Sequence, residues 1–267
     1  MVDHSFVVNN KLLVVPETDQ YSKSLSTMTS EEPTVEKPSS TRQSGRPTPK
    51  HKFEGHGRYI RDFVFLHDNI HIVSGSGDGT MRKWDCETGL LVGQPWKGRG
   101  GRITALALSP DGSTIACGRE GGSVEMWNTG GNMSEGIWIG HSDWVRSLSW
   151  SPSGNHISSC SDDGTILIRR TASGEVEVGP IEANQSWVLS LAYSPSGDRV
   201  ASGGRNETIS IWDSITGELL VGPIENLGNW VRSVVWSSDG SKLYSASNVF
   251  ARVFDSTFGH RTSSLPA

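Results

Sequence analysis

Val145-Arg146-Ser147-Leu148-Ser149-Trp150 is followed at once by Ser151-Pro152-Ser153-Gly154. The first six residues alternate as a strand does, and the next four form a turn. His156 to Cys160 reads as a second strand and Asp162-Asp163-Gly164 as a second turn. Thr165 to Arg169 then reads as a third strand, and Glu175 to Ile181 as a fourth. No window of the chain sustains a 3.6-residue period, so almost no helix is expected.

The same pattern recurs on both sides of this stretch. The first turn of each unit is His67-Asp68-Asn69, Pro110-Asp111-Gly112, Pro152-Ser153-Gly154, Pro195-Ser196-Gly197 and Ser238-Asp239-Gly240, at spacings of 43, 42, 43 and 43. A second marker lies near each unit's end: Trp84-Asp85, Trp127-Asn128, Arg169-Arg170, Trp212-Asp213 and Phe254-Asp255, at spacings of 43, 42, 43 and 42. Two markers that keep one period exclude coincidence. The period falls within the roughly 40–45 residues expected of a four-stranded propeller blade. The expected fold is therefore all-β: a β-propeller of five four-stranded antiparallel blades, with units at 53–98, 99–140, 141–182, 183–225 and 226–260. Ten Trp beside 31 Gly fit many short strands with tight turns, and do not fit a helical bundle.

Charge and cysteine content narrow the function classes. Residues 1–50 carry six acids and six bases, so the formal net charge of −5 belongs entirely to the repeats. A general nucleic-acid binder would show a basic footprint instead. No run approaches 18 apolar residues, and the start, Met1-Val2-Asp3-His4, lacks a secretory pattern. Cys86, Cys117 and Cys160 are odd in number and without a C-x-x-C pair, which suits a reducing compartment, cytoplasmic or nuclear.

Ahead of the repeats, residues 1–16 hold an expected strand pair, Ser5 to Val8 and Lys11 to Val15 around Asn9-Asn10. It reads either as an irregular tail or as a strand that joins an exposed sheet edge. Residues 17–48 are rich in Ser, Thr and Pro and are expected to be a disordered linker.

Gly55-His56, Ser74 to Thr80 (Ser-Gly-Ser-Gly-Asp-Gly-Thr) and Trp84-Asp85 resemble the WD-repeat (WD40) β-propeller family. So do Gly140-His141 with Ser161 to Thr165, and Ile211-Trp212-Asp213. The stretch at 216–225 is similar to fungal multi-WD-repeat proteins, some of which are joined to NTPase modules. The resemblance implies a buried hydrogen-bonded tetrad in each blade. Only the first unit matches throughout, with His56, Ser74, Asp78 and Trp84. The third keeps His141, Ser159 and Asp163 but has Arg169 in place of Trp. The second has Arg99, Cys117, Gly121 and Trp127; the fourth Asn184, Ser202, Asn206 and Trp212; the fifth Leu227, Ser245, Asn248 and Phe254. Units two and five are accordingly expected to be the softest. The ring is expected either to close, with a strand near 49–54 completing the fifth blade, or to stay open and incomplete, assembling with further WD repeats.

No H-E-x-x-H, phosphate-loop, G-x-S-x-G or kinase motif is present, so a non-catalytic protein with no cofactor or metal is expected. His67 and His71 flank a turn and read as solvated surface. The informative row precedes the first strand of each unit: Tyr59, Arg102, Trp144, Trp187 and Trp230. Two residues on stand Arg61, Thr104, Arg146, Leu189 and Arg232, and between them lies an Ile or Val. If that middle residue is buried between blades, its neighbours face outward together. In the family resembled, this position opens on the top face and commonly meets partners. Glu120, Asp162 and Arg205 belong to the adjacent turns.

Three functional classes remain open. The first is a scaffold that binds protein or peptide partners through Tyr59, Arg61, Arg102, Glu120, Trp144, Arg146, Asp162, Trp187, Leu189, Arg205, Trp230 and Arg232. The second is the sensor fragment of a larger NTPase-linked multi-WD receptor. The third is a glycan-binding propeller. Neither specific nucleic acid nor membrane is an expected partner.

Overall fold

A computed structural model of the chain describes residues 6–8, 11–13 and 49–255. Strands β1 (Phe6–Val8) and β2 (Lys11–Leu13) pair antiparallel with each other in a sheet of their own, Val7 opposite Leu12. The linker expected at 17–48 lies outside the described residues.

From residue 60 the chain builds blades, each an antiparallel meander with its first strand innermost. Blade one is β3 (Ile60–Phe65), β4 (His71–Ser76), β5 (Thr80–Asp85) and β6 (Leu91–Lys97). Blade two is β7 (Ile103–Leu108), β8 (Thr114–Arg119), β9 (Val124–Asn128) and β10 (Met133–Trp138). Blade three is β11 (Val145–Trp150), β12 (His156–Ser161), β13 (Thr165–Arg170) and β14 (Val176–Glu182). Blade four is β15 (Val188–Tyr193), β16 (Arg199–Gly204), β17 (Ile209–Asp213) and β18 (Leu219–Ile224). Blade five has three described strands, β19 (Ser233–Trp236), β20 (Lys242–Ala246) and β21 (Ala251–Asp255). Among the described residues no fourth strand joins it, and residues 256–267 lie outside them. No helix occurs among the described residues.

The core is divided into four clusters, one at each contact between successive blades. Inner strands pack in sequence: β3 on β7, β7 on β11, β11 on β15, and β15 on β19. At the centre of these contacts Ile103, Val145, Val188 and Val231 are 0, 0, 0 and 1% exposed. Each burial of this kind contributes about 1.5–3 kcal/mol. Glycine on the facing strand makes room: a Cβ on Gly118 would lie 2.7 Å from Val145, and one on Gly203 would lie 2.4 Å from Val231. Polar ties cross the same seams. The Leu106 N–H donates to Asp62 (2.8 Å), the Tyr193 N–H to the Ser149 hydroxyl (3.0 Å), and the Val234 N–H to the Ser190 hydroxyl (3.0 Å).

The same test exposes the end of the array. Ile60, the equivalent residue of blade one, is 47% exposed, and Val249, Phe250 and Val253 of blade five are exposed as well. Among the described residues no sheet covers the leading face of β3. The expected closure by residues 49–54 is not seen: this segment forms no strand and lies against blade one. There the Phe53 ring stands 5.6 Å from the Trp84 ring, and His51 Nε2 hydrogen-bonds with the Glu87 carbonyl at 2.6 Å. Packing Phe53 on the outside of Trp84 commits the segment to its own blade.

The tetrads diverge in chemistry. In blade one the Trp84 indole N–H donates to the Ser74 hydroxyl (2.8 Å), which lies 2.7 Å from His56 Nε2, and His56 Nδ1 donates to Asp78 (2.9 Å). In blade three His141 bridges Ser159 (2.9 Å) and Asp163 (3.2 Å). The Arg169 guanidinium, standing where Trp would be, donates to the Gly174 and Ile139 carbonyls. In blade four the buried amide is Gln185, not Asn184: its Nε2 donates to the Ser202 and Thr208 carbonyls, while the Trp212 N–H reaches the Ser202 hydroxyl.

Blade two, expected to be soft, holds a different fastening. Arg119 and Glu125, each 1% exposed in the side chain, form an ion pair at 2.6 Å. Arg119 also donates to the Gly79 and Gly101 carbonyls, and Glu125 accepts from the Trp127 indole and the Arg99 N–H. Every strong donor and acceptor of the pair has a partner, which is the condition for burying charge.

Candidate functional site

A repeated backbone irregularity builds the rim. In blades one to four the register slips just after the first residue of the inner strand, between Ile60/Asp62, Ile103/Ala105, Val145/Ser147 and Val188/Ser190. Arg61, Thr104, Arg146 and Leu189 are the extra residues of these bulges, which free them from the pleat and re-aim their side chains. A second device brings the two sequence rows together. The Gly77, Glu120, Asp162 and Arg205 N–H groups donate to the carbonyls of Tyr59, Arg102, Trp144 and Trp187, at 3.0, 3.1, 3.0 and 2.9 Å. Each turn residue is thereby pinned beside the rim residue of its own blade.

The result is an alternating stack of guanidinium and aromatic groups. The Arg61 guanidinium lies 4.2 Å from the Tyr59 ring centre and 5.5 Å from that of Trp144. Arg146 lies 4.7 Å from Trp144 and 5.5 Å from Trp187. Arg205 lies 4.3 Å from Trp187 and 4.8 Å from Trp230, and Arg232 follows at 5.2 Å from Trp230. Trp187 and Trp230 also meet edge-on at 6.4 Å. Tyr59 is exposed, and Trp144, Trp187 and Trp230 are half-buried. The guanidinium-to-ring distances all fall within the range of cation–π attraction.

Charge along the stack is unevenly balanced. Arg146 is clamped by both oxygens of Asp162, and Arg102 reaches Glu120 at 3.4 Å. Arg232 donates to the Asn248 side-chain oxygen at 2.6 Å. Among the described residues, Arg61 and Arg205 have no carboxylate partner within 4 Å. The hydrogen bond from Arg61, with the nearby charges of Arg102 and Arg58, holds the Tyr59 phenol below its ordinary pKa.

Two rim positions differ from their neighbours. The Thr104 hydroxyl donates to the Val145 carbonyl at 2.6 Å and is part of a blade seam. Leu189 is a half-buried apolar rung without charge. Glu120 and Asp162 are half-buried beside Arg102 and Arg146.

Beside the Tyr59 end of the stack, between blades one and two, opens a cleft of about 680 Å³. Sequence reasoning named two of its residues, Arg102 and Glu120, but missed the cleft, because most of its wall comes from the loops at 57–58, 77–79 and 98–101. The signal available was the glycine-dense loop at 98–101. A second cavity of about 780 Å³ lies at the opposite ends of blades two and three, beside Trp138 and Trp150. Among the described residues no cluster of His, Cys, Asp and Glu could hold a metal ion, and no helix is long and apolar enough to cross a membrane.

Comparison with known proteins agrees with this architecture. The family model "WD domain, G-beta repeat" matches residues 47–85, 92–128, 133–169 and 176–213. Blade five lies outside the matched stretches, although it keeps the repeat period and the sheet. The chain is 31% identical over 134 residues to the ribosome biogenesis protein WDR12 homolog of Nematostella vectensis, covering 47% of this chain and 30% of that protein. It is 35% identical over 82 residues to THO complex subunit 6 of Arabidopsis thaliana, covering 30% and 22%. It is 28% identical over 130 residues to transducin beta-like protein 2 of Homo sapiens, covering 45% and 29%. The matches thus span less than a third of these relatives' length.

Proposed function

For this chain, which belongs to the WD-repeat family, we propose the role of an interaction scaffold that engages a protein or peptide partner through the rim of stacked arginine and aromatic side chains. One observation carries the reading: the unbroken alternation from Tyr59 through Arg61, Trp144, Arg146, Trp187, Arg205 and Trp230 to Arg232. Trp, Tyr and Arg dominate interface energetics when they are pre-arranged and then desolvated by a partner. Stacking holds the guanidinium planes in place beforehand, so less side-chain entropy is lost on binding. The bulges and the turn-to-rim hydrogen bonds fix the backbone beneath them. Relatives named as a complex subunit and a ribosome biogenesis protein are consistent with such a role.

The test replaces Trp144, Trp187 and Trp230 with alanine together. The expected result is loss of the partner that co-purifies with the unaltered protein, while the thermal unfolding transition remains cooperative. Retention of the partner by a folded triple variant contradicts the rim reading.

A further inference from the structure

The glycine-lined cleft at the Tyr59 end of the rim faces the same side as the stack and joins it through Arg102, whose guanidinium lies 5.8 Å from the Trp144 ring. Half of the cleft's lining is glycine, and a Cβ on Gly100 would meet no atom within 4 Å. At Gly100 the backbone is therefore open to close approach by a ligand. Its side-chain cations are Arg58, Lys97 and Arg102. Its acids are already engaged: Asp78 accepts from His56, the Gly57 N–H and Thr80, and Glu120 accepts from the Arg102 N–H and faces its guanidinium. Among the described residues, Arg58 and Lys97 have no ion-pair partner. Together with Arg61 and Arg205 they give this face four cations without an ion-pair partner among the described residues, beside the carboxylates of Asp78 and Glu120, on a chain of net charge −5.

We propose, resting on the rim reading above, that the partner is a peptide segment bearing an anionic side chain. That side chain seats in the cleft between Arg58, Lys97 and the glycine backbone, and the residues that follow lie along the arginine–tryptophan stack. A carboxylate and a phosphorylated serine share the required chemistry. A peptide suits the face better than single-stranded nucleic acid. The indole faces that would stack on bases are occupied by the protein's own guanidinium groups. Asp162 also stands on this face.

The experiment is fluorescence polarisation with four labelled probes. Three are Gly/Ser decapeptides carrying three consecutive glutamates, three phosphoserines or three glutamines; the fourth is a twelve-nucleotide uridine strand. The glutamate or the phosphoserine peptide is expected to bind at least tenfold tighter than the glutamine peptide, and the arm that wins identifies the source of the anion. In the variant Arg58→Gln/Lys97→Gln, whose altered side chains are exposed, that preference is expected to vanish. Equal binding of the glutamine peptide, no measurable binding of either anionic peptide, a preference that survives the double substitution, or tightest binding of the uridine strand overturns the proposal. Partner capture separates the two readings. If the tryptophan triple variant loses the partner but Arg58→Gln/Lys97→Gln keeps it, the rim stands and the anion cleft falls. If the triple variant keeps the partner, the rim itself falls.

Discussion

Blades one and two meet the same demand by different chemistry. Each must tie the loop entering the blade to the strands behind it. Blade one uses a hydrogen-bonded chain from Trp84 through Ser74 and His56 to Asp78, whose carboxylate lies near the surface. Blade two uses one fully desolvated ion pair, Arg119 with Glu125, and spans into blade one through the Gly79 carbonyl. The first solution is distributed over four residues and the second is concentrated in two. A distributed network fails by steps, whereas a buried ion pair fails when either half is lost.

The largest expected effect is therefore in blade two. Glu125→Gln leaves the buried Arg119 charge unpaired and is expected to cost about 3–5 kcal/mol in denaturant unfolding. The double change Arg119→Met/Glu125→Leu removes both charges and is expected to recover most of that loss. If Glu125→Gln costs no more than a surface substitution, the contrast between the blades is broken. Ser74→Ala in blade one strips the Trp84 N–H and His56 Nε2 of their shared partner, and a smaller loss of about 1–3 kcal/mol is expected.

Acid acts on the tetrads of blades one and three. Burial works to raise the Asp78 and Asp163 carboxyls, but hydrogen bonds from Thr80, Gly57 and His56, and from Thr165 and Ser142, outweigh it and hold both below the ordinary carboxylate value. Burial also holds His141 below its ordinary value. A lowered carboxylate supplies stability that is present above the unfolded-state value near 4 and is lost as pH falls through the folded value. A lowered histidine destabilises the fold once pH drops below about 6.5, because the unfolded chain then takes the proton more readily. Both effects act in one direction. The denaturation midpoint is expected to fall from pH 7 to pH 4 and further below, and Asp78→Asn should make the last part of that fall shallower. The smallest effect is expected at the rim: Arg205→Gln, an exposed side chain, leaves the unfolding midpoint unchanged while weakening partner capture.

What the sequence made legible follows from what the repeat preserves. The 43-residue period located the blades, the two rows flanking each inner strand and the Ile or Val between them, which is inward in blades two to five, because strand alternation carries those positions directly. The first tetrad was readable residue by residue. The Arg119–Glu125 pair was not, since its partners replace no family position. The available hint was an acid set among apolar strand residues, Val124-Glu125-Met126-Trp127. Gln185 was missed by one residue: Asn184 and Ser186 both adopt positive φ (53° and 60°), and the kinked loop turns Gln185 inward. The bulges were hidden because they leave the repeat length unchanged. Closure by residues 49–54 was misjudged because Phe53 finds an aromatic partner in its own blade.

The account rests on the rim being the face that meets the partner, and oxidative footprinting of the tryptophans tests this most directly. With the partner bound, Trp144, Trp187 and Trp230 are predicted to be protected relative to the free protein, while Trp138 and Trp150 at the opposite ends of the blades keep their reactivity. Protection confined to Trp138 and Trp150, with the three rim tryptophans unchanged, would contradict it.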